Sequence, residues 1–413
     1  MAENTKTPWA ELFSHWGSKL PGLSEEETEE FCAAVKTGSL AKAVGVVKKS
    51  DELLKKTQLN IGVIGDTGTG KSSFINAMRS LNDDDNGAAK TGVTETTTEP
   101  TPYPHPKHPK VTLWDLPGVG TQKYPKESYL DDIKFDNYNF FIIITAGRFT
   151  ESDAMIALQI QRREKKFYFV RSKVDVDLFN EGKKRNFNKE KTLQTIRGDC
   201  VKKLEDLGVS SPQVFLVSRW DFDKYDSPQL QETFLSELDT HKRHVLLCAL
   251  PSTCEPILKV KKKALEEQIW KQALKSSAVA AVPVPGLSIA CDVDILVASM
   301  TEYCKAFGLD DDSLTSLAKQ FGKSIDELKS VIQSAMVKNI TREEALKRLK
   351  EATGVEGMVA KSLLCLIPLI GTIIAAQNSY EVTYAMLQVF LNEVAADAER
   401  VLKKALEGAE NNQ

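Results

Sequence analysis

The sequence predicts an α/β domain with a mostly parallel sheet, combined with an all-helical domain. Between about residues 57 and 240, short apolar runs alternate with amphipathic helical patterns, which is typical of parallel strands covered on both faces. Before and after this region only helical periodicity is found. We therefore divide the chain into N-terminal helices at 1–56, an α/β domain at 57–240 and C-terminal helices at 241–413.

The N-terminal segment is predicted to be helical throughout. Apolar residues from Trp9 to Leu20 recur on one helical face. A second helix starts at Ser24, which forms a capping box with Glu27, and a third covers residues 40–56. These helices have no core of their own, so we expect them to pack with the C-terminal helices. The helical domain is then built from both termini.

The central region is predicted to form five strands separated by helices. The strands are expected at residues 60–64, 111–116, 140–145, 167–170 and 214–218. The helices are expected from residue 71 onward and at 152–163, 189–207 and 227–238. Beyond residue 240 the predicted helices cover 255–277 and 309–321, begin with capping boxes at Ser324 and Thr341, and end with a long helix at 381–406.

The composition excludes several classes of protein. The 413 residues are 42% hydrophobic and 27% charged, which argues against a disordered chain. The 54 basic and 57 acidic residues give a formal net charge of −3, so a nucleic-acid partner is not expected. The seven cysteines are scattered, with no C-x-x-C pair for zinc. Because no apolar signal segment is present and residue 2 is Ala2, we expect a cytoplasmic protein without a myristoyl anchor.

The strongest motif is G-x-x-x-x-G-K-S, placed between a predicted strand and a predicted helix. Glycines let such a loop curl so that successive backbone N–H groups point at phosphate oxygens. The predicted nucleotide-binding residues are Gly65, Asp66, Thr67, Gly68, Thr69, Gly70, Lys71, Ser72 and Ser73. Among them, Lys71 is expected to supply a charge to the β- and γ-phosphates, and the Ser72 hydroxyl is expected to bind Mg²⁺.

A second motif, Asp115-Leu-Pro-Gly118, follows the next predicted strand. At that position Asp115 would act on Mg²⁺ through a water, and the Gly118 amide would meet the γ-phosphate. The motif is very weak alone, but its place one strand after the phosphate loop makes it strong. We therefore expect this segment to respond to loss of the γ-phosphate.

A third motif, Ser172-Lys-Val-Asp175, follows the 167–170 strand and is similar to the base-reading motif of GTPases. The Asp175 carboxylate can accept from the N1–H and the 2-amino group of guanine, which adenine lacks, so the site is predicted to select guanine. The Lys173 stem can lie over the base. Ser218 stands where a backbone N–H meets guanine O6.

The segment between the first two motifs must supply a switch threonine for Mg²⁺ and the γ-phosphate. Composition alone does not choose among the candidates Thr91, Thr94, Thr96, Thr97 and Thr98. The predicted metal site includes Thr97 with Ser72 and Asp115.

Val119 occupies the position where Ras-like enzymes keep a glutamine that orients water. An apolar side chain cannot orient water, so another group must assist hydrolysis. Glu95 is the candidate within the chain, the alternative being an ordinary solvated loop glutamate.

These motifs together resemble the immunity-related GTPases, the interferon-inducible p47 group. The resemblance also includes Gly87-Ala-Ala-Lys-Thr-Gly92, residues 102–106 and Lys242-Arg-His244. It extends over essentially the whole chain, and residues 283–286 and 307–313 look most like the branch called cinema or C-type.

The resemblance implies a Ras-like P-loop GTPase domain and a helical domain, with Mg²⁺ and GTP or GDP as ligands. It implies dynamin-like self-association through GTP-loaded domains, with hydrolysis promoted in trans. The family's catalytic glutamate falls on Glu95, and its dimer-face threonines fall on Thr91 and Thr97. It also implies cell-autonomous defence at membranes around intracellular pathogens. The family's usual threonine is Ser172 here, which is a mild departure.

Two apolar segments, Ala278–Met300 and Met358–Gln377, have two interpretations. A spanning helix needs about 20 uninterrupted apolar residues. Both segments are interrupted, the first by Pro283 and the second by Pro368, so a buried hairpin is favoured over a membrane element. The face around Trp9 is similarly interpreted as core, with a membrane interface as the alternative.

The sequence leads to three alternative hypotheses for the function. The first is a self-assembling GTPase whose hydrolysis depends on protein concentration. The second is a GTP-binding switch with low turnover that recruits partners through its helical domain. The third is a protein that acts peripherally on intracellular membranes.

Overall fold

The computed structural model describes residues 20–92, 97–119, 123–126, 128–222, 224–281, 287–352 and 370–407. The chain divides into two compact units. The helical unit comprises Met1–Thr57, Asp239–His244 and Leu258–Gln413. The sheet unit comprises Gln58–Leu238 and Val245–Ile257. Residues 245–257 thus lie in the sheet unit, whereas the boundary drawn from the sequence at residue 240 placed them with the helices.

The helical unit begins with two helices whose ends agree closely with the sequence. They are α1 (Glu25–Lys36) and α2 (Leu40–Lys56). In the predicted capping box, the Glu27 N–H donates to Ser24 Oγ at 3.3 Å and the Ser24 N–H donates to Glu27 Oε2 at 2.8 Å. This reciprocal pair satisfies two backbone donors that the first turn of a helix leaves without a partner.

The sheet unit contains six described strands. In chain order, its first elements are β1 (Leu59–Ile64), α3 (Lys71–Met78), β2 (Thr101–Pro104), β3 (Val111–Asp115), α4 (Tyr129–Asp132) and β4 (Phe140–Thr145). They continue as α5 (Glu151–Arg162), β5 (Phe167–Arg171), α6 (Val174–Glu181), α7 (Lys189–Asp206), β6 (Val214–Leu216) and α8 (Ser227–Glu237). Two further helices follow, α9 (Thr240–Ala249) and α10 (Glu255–Glu266).

The strands form one sheet in the order β2-β3-β1-β4-β5-β6. All pairs are parallel except β2–β3, which is antiparallel. At the carboxyl ends, Val63 pairs with Asp115, and Arg171 lies between Thr145 and Leu216. The loops that follow β1, β3, β5 and β6 therefore leave the sheet at the same edge, and three of them carry the predicted motifs.

The middle strand of the sheet is entirely apolar except at its last residue. All six residues of β4 are buried, which is expected of a parallel strand covered on both faces. On one face, Phe141 and Phe169 pack with Ile156 of α5 and Leu204 of α7. This core fixes the edge from which the functional loops emerge.

The helical unit continues after α10. Its described helices are α11 (Ile269–Ala280), α12 (Leu287–Phe307), α13 (Asp311–Phe321), α14 (Ile325–Ser330), α15 (Ala335–Lys338), α16 (residues 342–352) and α17 (Ile370–Leu406). Gly322 ends α13 with φ 63°, in the left-handed conformation that glycine favours. Ser324 and Glu327 form the second predicted capping box.

Both ends of the chain contribute to this unit, as the sequence predicts. Phe31 of α1 and Val47 of α2 share a buried cluster with Trp270 of α11 and Ala376 of α17. The Phe31 and Trp270 rings meet edge to face with centroids 5.2 Å apart. This is a favourable aromatic geometry, and it joins segments that lie far apart in the sequence.

Two of the predicted helices have different limits in the structure. The single helix predicted over 255–277 is wrong, because α10 and α11 are separate helices divided at residues 267–268. There the Gln268 N–H donates to Leu265 O, a tight turn that no glycine or proline announces. The final helix, α17, begins at Ile370 rather than at residue 381.

Within the described residues, no helix combines the length and the apolar character needed to cross a membrane. Of the two apolar segments, residues 282–286 and 358–369 lie outside the described residues, as does the helix predicted around Trp9.

Candidate functional site

The phosphate loop runs from the end of β1 to the start of α3, as the motif predicts. Gly65 has φ 156°, and a Cβ there would lie 2.1 Å from Ile144 O, so no other residue fits without movement of the backbone. Gly70 caps α3 with φ 92° and offers no side chain to the first helical N–H groups. The start of α3 therefore presents backbone donors and the positive end of a helix dipole to an anion.

The side chains of this loop hold it in its curled form. Lys71 is 8% exposed, and its Nζ donates to Gly65 O at 2.9 Å and to Asp66 O at 3.1 Å. The Thr69 hydroxyl also donates to Asp66 O, at 2.8 Å. The ammonium group thus lies inside the curve of the loop. Thr67 and Gly68 form its exposed tip.

Asp115 is the point at which the first two motifs meet. Its Oδ2 accepts from the Ser72 hydroxyl at 2.6 Å and from the Thr97 hydroxyl at 2.9 Å. The residue is fully buried, and its Oδ1 has no hydrogen-bond partner among the described residues. A buried carboxylate oxygen without a partner is costly, and hydroxyl and carboxylate oxygens are the donors that Mg²⁺ prefers. These residues therefore fit a magnesium site.

The segment after β3 is fixed by a residue that the sequence analysis missed. The buried Tyr129 hydroxyl donates to Pro117 O at 2.7 Å, directly before Gly118, which is also buried. Burial raises the pKa of Tyr129 well above its usual value, so the hydroxyl stays protonated. Val119 is partly buried and packs on the core of the sheet unit.

The third motif contacts the phosphate loop directly. The Lys173 Nζ donates to Gly68 O at 2.8 Å, and the Ser172 hydroxyl donates to Thr69 O at 2.6 Å. Lys173 has φ 58° and precedes the first residue of α6, so Asp175 lies in the first turn of that helix. The structure thus brings the phosphate loop and the base motif to the same edge of the sheet.

Arg171 and Asp177, which flank the third motif, were not predicted. The Arg171 guanidinium donates to Asp177 Oδ2 at 2.5 Å and to Ser172 O at 2.6 Å. The Arg171 side chain is 7% exposed and the Asp177 side chain is 32% exposed, so the guanidinium is shielded from water and the carboxylate is only partly shielded. The only indication of this ion pair in the sequence is that a basic residue, Arg171, ends an apolar strand.

Ser218 lies just beyond β6, in the loop beside the third motif. It is fully buried, and its Oγ accepts from the backbone N–H groups of Trp220 at 3.2 Å and Asp221 at 3.4 Å. The backbone of the third motif is bonded to the residue before Ser218, since the Val174 N–H donates to Val217 O at 3.4 Å.

The other predicted site residues are placed less centrally or are not described. Ser73 directs its hydroxyl to Asp83 Oδ2 at 3.5 Å, and Thr91 is exposed. Glu95, Thr94 and Thr96 lie outside the described residues.

Three motifs lie at the carboxyl edge of this mostly parallel sheet: a glycine-rich phosphate loop, an Asp-x-x-Gly segment and a Lys-x-Asp motif. This arrangement defines the class of P-loop GTPases. The sequence matches the family described as Interferon-inducible GTPase (IIGP) over residues 24–405. The chain belongs to this family, and it is a GTPase of the immunity-related type.

Individual relatives match over almost the whole chain. Interferon-inducible GTPase 5 from Rattus norvegicus is 41% identical over 94% of this chain and 87% of its own length. Interferon-gamma-inducible GTPase 10 from Mus musculus is 36% identical over 98% of this chain and 95% of its own length. Among solved structures, an oligomerised bacterial dynamin pair aligns with a TM-score of 0.35 and 12% identity, over 94% of this chain and 76% of that one.

Proposed function

We propose that this GTPase holds GTP with Mg²⁺ at the carboxyl edge of the sheet, hydrolyses it with the help of a second copy, and acts in cell-autonomous defence at intracellular membranes. The observation that carries the proposal is the arrangement around Asp115. One of its oxygens joins Ser72 to Thr97, and the other is buried without a partner among the described residues.

The phosphates are assigned to the curled loop. The backbone N–H groups of the loop and of the first turn of α3 would surround the β-phosphate. The Lys71 ammonium, now bonded to two loop carbonyls, would exchange them for phosphate oxygens. The same lysine would stabilise the charge that develops during transfer, and the Gly118 amide would bind the γ-phosphate.

The metal is assigned to Ser72 and Thr97, with Asp115 behind them. When bound, Mg²⁺ neutralises charge on the β- and γ-phosphates. Asp115 would orient the two hydroxyls and hold a metal-bound water through Oδ1. Since Thr97 is the one candidate threonine whose bond to Asp115 lies within the described residues, it is the proposed switch ligand.

The guanine base is assigned to Asp175, Lys173 and Ser218. The Asp175 carboxylate would accept from N1–H and the 2-amino group, and the backbone N–H of Ser218 would donate to O6. The bond from Lys173 Nζ to Gly68 O at 2.8 Å supports this assignment, because it holds the lysine of the third motif against the phosphate loop.

Self-association is proposed because the chain lacks a glutamine at position 119. The partly buried Val119 cannot orient water, so Glu95 is the candidate that a second copy would help to position, with Thr91 and Thr97 as the dimer-face threonines that the resemblance implies. The test is GTP turnover per enzyme molecule across a wide range of protein concentration, with light scattering alongside. We expect specific activity to rise with concentration. A flat profile with normal turnover contradicts activation in trans, and negligible turnover at every concentration favours the switch that recruits partners.

Membrane action is tested by sedimentation with liposomes in the presence of GTP or GDP. We expect nucleotide-dependent pelleting. Equal pelleting with both nucleotides, or none, would contradict this part of the proposal.

A further inference from the structure

Asp83, in the turn that follows α3, collects hydrogen bonds from two separate parts of the sheet unit. Arg219 donates to it twice, from Nη2 at 2.7 Å and from Nε at 3.1 Å. Asn76 Nδ2 of α3 donates to Asp83 Oδ1 at 2.8 Å, the oxygen that Arg219 Nη2 also contacts, and the Ser73 hydroxyl donates to Oδ2 at 3.5 Å. Charge-assisted, two-pronged contacts of this kind fix orientation as well as position.

Asn76 connects this carboxylate to the start of the predicted switch segment. It is fully buried, its Oδ1 accepts from the Ala89 N–H at 2.6 Å, and its Nδ2 donates to Ala89 O at 3.0 Å. One side chain thus satisfies both backbone groups of a buried residue that lies two positions before Thr91. Arg79, which directly follows α3, holds the same segment of the chain, because its Nη1 donates to Gly87 O at 3.0 Å.

Arg219 connects the carboxylate to the base loop. It directly follows Ser218, whose backbone is assigned to guanine O6, and its side chain is 16% exposed. Its guanidinium also stacks on the Trp220 ring, 4.4 Å from the centroid. When the loop around Arg219 moves, Asp83 has to move with it or the shielded ion pair between the two side chains has to break.

We infer that Asn76, Asp83 and Arg219 form a positioning relay that links occupation of the guanine pocket to the start of the switch segment. The inference rests on the nucleotide site proposed above. The three residues touch neither the base nor the phosphates in that assignment. They act by holding the two segments that are assigned to the nucleotide, the loop around Ser218 and the start of the switch segment. A buried polar network transmits a displacement, because its members cannot be separated without loss of hydrogen bonds.

The test uses the full chain with Arg219→Gln, Asp83→Asn and the double variant. The matched control is Arg163→Gln, which removes an exposed ion pair to Asp131, also 2.7 Å long, on the same unit. Two quantities are measured, the GDP dissociation rate and the hydrogen exchange of peptides that cover residues 87–92. Exchange is measured without nucleotide, so it reports on the relay even if nucleotide binding fails.

We expect Arg219→Gln to speed GDP release about five- to tenfold and to increase exchange at residues 87–92, with the control unchanged in both. Asp83→Asn should do the same, and the double variant should differ little from either single variant, because all three break one connection. Should Arg219→Gln not fold, Arg219→Lys, which keeps the charge and loses the two-pronged contact, is expected to show a smaller effect of the same kind.

Faster GDP release with unchanged exchange at residues 87–92 would overturn the relay, as would additive effects in the double variant. If wild-type protein binds no guanine nucleotide while exchange responds as expected, the proposed function fails and the relay stands as a purely structural connection. If wild-type protein binds nucleotide and all variants match the control, only the relay fails.

Discussion

Ser72 and Asp115 come from different motifs, and the Ser72 hydroxyl donates to Asp115 Oδ2 at 2.6 Å. The bond joins the first turn of α3 to the last residue of β3. It exists because β1 and β3 are parallel neighbours with Val63 opposite Asp115, so the loop after β1 and the end of β3 share one edge. A magnesium site needs this juxtaposition of a hydroxyl and a carboxylate.

Replacement of Lys71 is expected to abolish nucleotide binding. The ammonium group is the only full positive charge that the phosphate motif supplies, and Lys71→Ala removes it. The affinity for a fluorescent GTP analogue, measured by titration, should fall by at least about a hundredfold. Lys173→Ala is the matched comparison, since it removes a lysine assigned to the base, and its loss should be smaller. Retained micromolar affinity in Lys71→Ala would refute the phosphate assignment.

Replacement of Asp175 is expected to change which base is bound. In Asp175→Asn the amide can no longer accept from both guanine donors, but it can donate to the 2-oxo group of xanthine. The preference for GTP over ATP should fall by at least about a hundredfold, and affinity for xanthosine triphosphate should rise. Competition binding with the three nucleotides measures both effects. An unchanged order of preference would remove Asp175 from the base site.

Replacement of Glu95 tests the candidate for catalysis. Glu95→Ala should leave GTP affinity within about twofold and slow turnover about a hundredfold or more, the usual effect of losing a group that positions water. The control is Glu99→Ala, because Glu99 is in the same segment and forms an exposed ion pair with Lys123 at 2.5 Å. Equal turnover in the Glu95 variant would move catalysis to another group.

Lys271 makes the stability of the helical unit depend on pH. It is 4% exposed, its Nζ donates to Gly22 O, and burial lowers its pKa from 10.5 to about 8, despite the nearby carboxylates of Asp51 and Glu27. Below pH 8 the lysine is charged in both folded and unfolded chains, so the cost of burying the charge is fully present. That cost is about 3 kcal/mol at about 1.4 kcal/mol per pKa unit.

As the pH rises through 8 the folded state loses its proton first, and stability should increase until the unfolded pKa of 10.5 is reached. The melting temperature of wild-type protein relative to Lys271→Met should therefore rise between pH 7 and pH 9.5. The difference between the two proteins removes the contribution of other titrating groups. A constant or falling difference would show that Lys271 keeps an ordinary pKa.

Much of the sheet unit could be predicted because its signals are local. β4 is a continuous apolar run, and α2 has clear helical periodicity between Ser39 and Thr57, so their limits agree with the structure. The edge strand β2 was missed because Pro102 and Pro104 argue against a strand, and only the antiparallel pairing with β3 makes it one. The helix α6 was not predicted, because it begins at Val174 inside the base motif.

The site was predictable where chemistry follows a motif and unpredictable where it depends on tertiary contact. The meeting of Ser72 with Asp115 follows from two motifs on neighbouring parallel strands. The contacts of Asp83 with Arg219 and of Tyr129 with Pro117 join residues with no shared pattern, so nothing in the sequence marks them. The role of Glu95 stays a prediction, because it lies outside the described residues.

The most direct measurement of the central claim is a crystal structure with a non-hydrolysable GTP analogue and Mg²⁺. We expect the β- and γ-phosphates to lie against Lys71, the metal to lie between Ser72 and Thr97, and the guanine edge to meet Asp175. A nucleotide bound away from the loop at residues 65–72, or a base that does not meet Asp175, would contradict it.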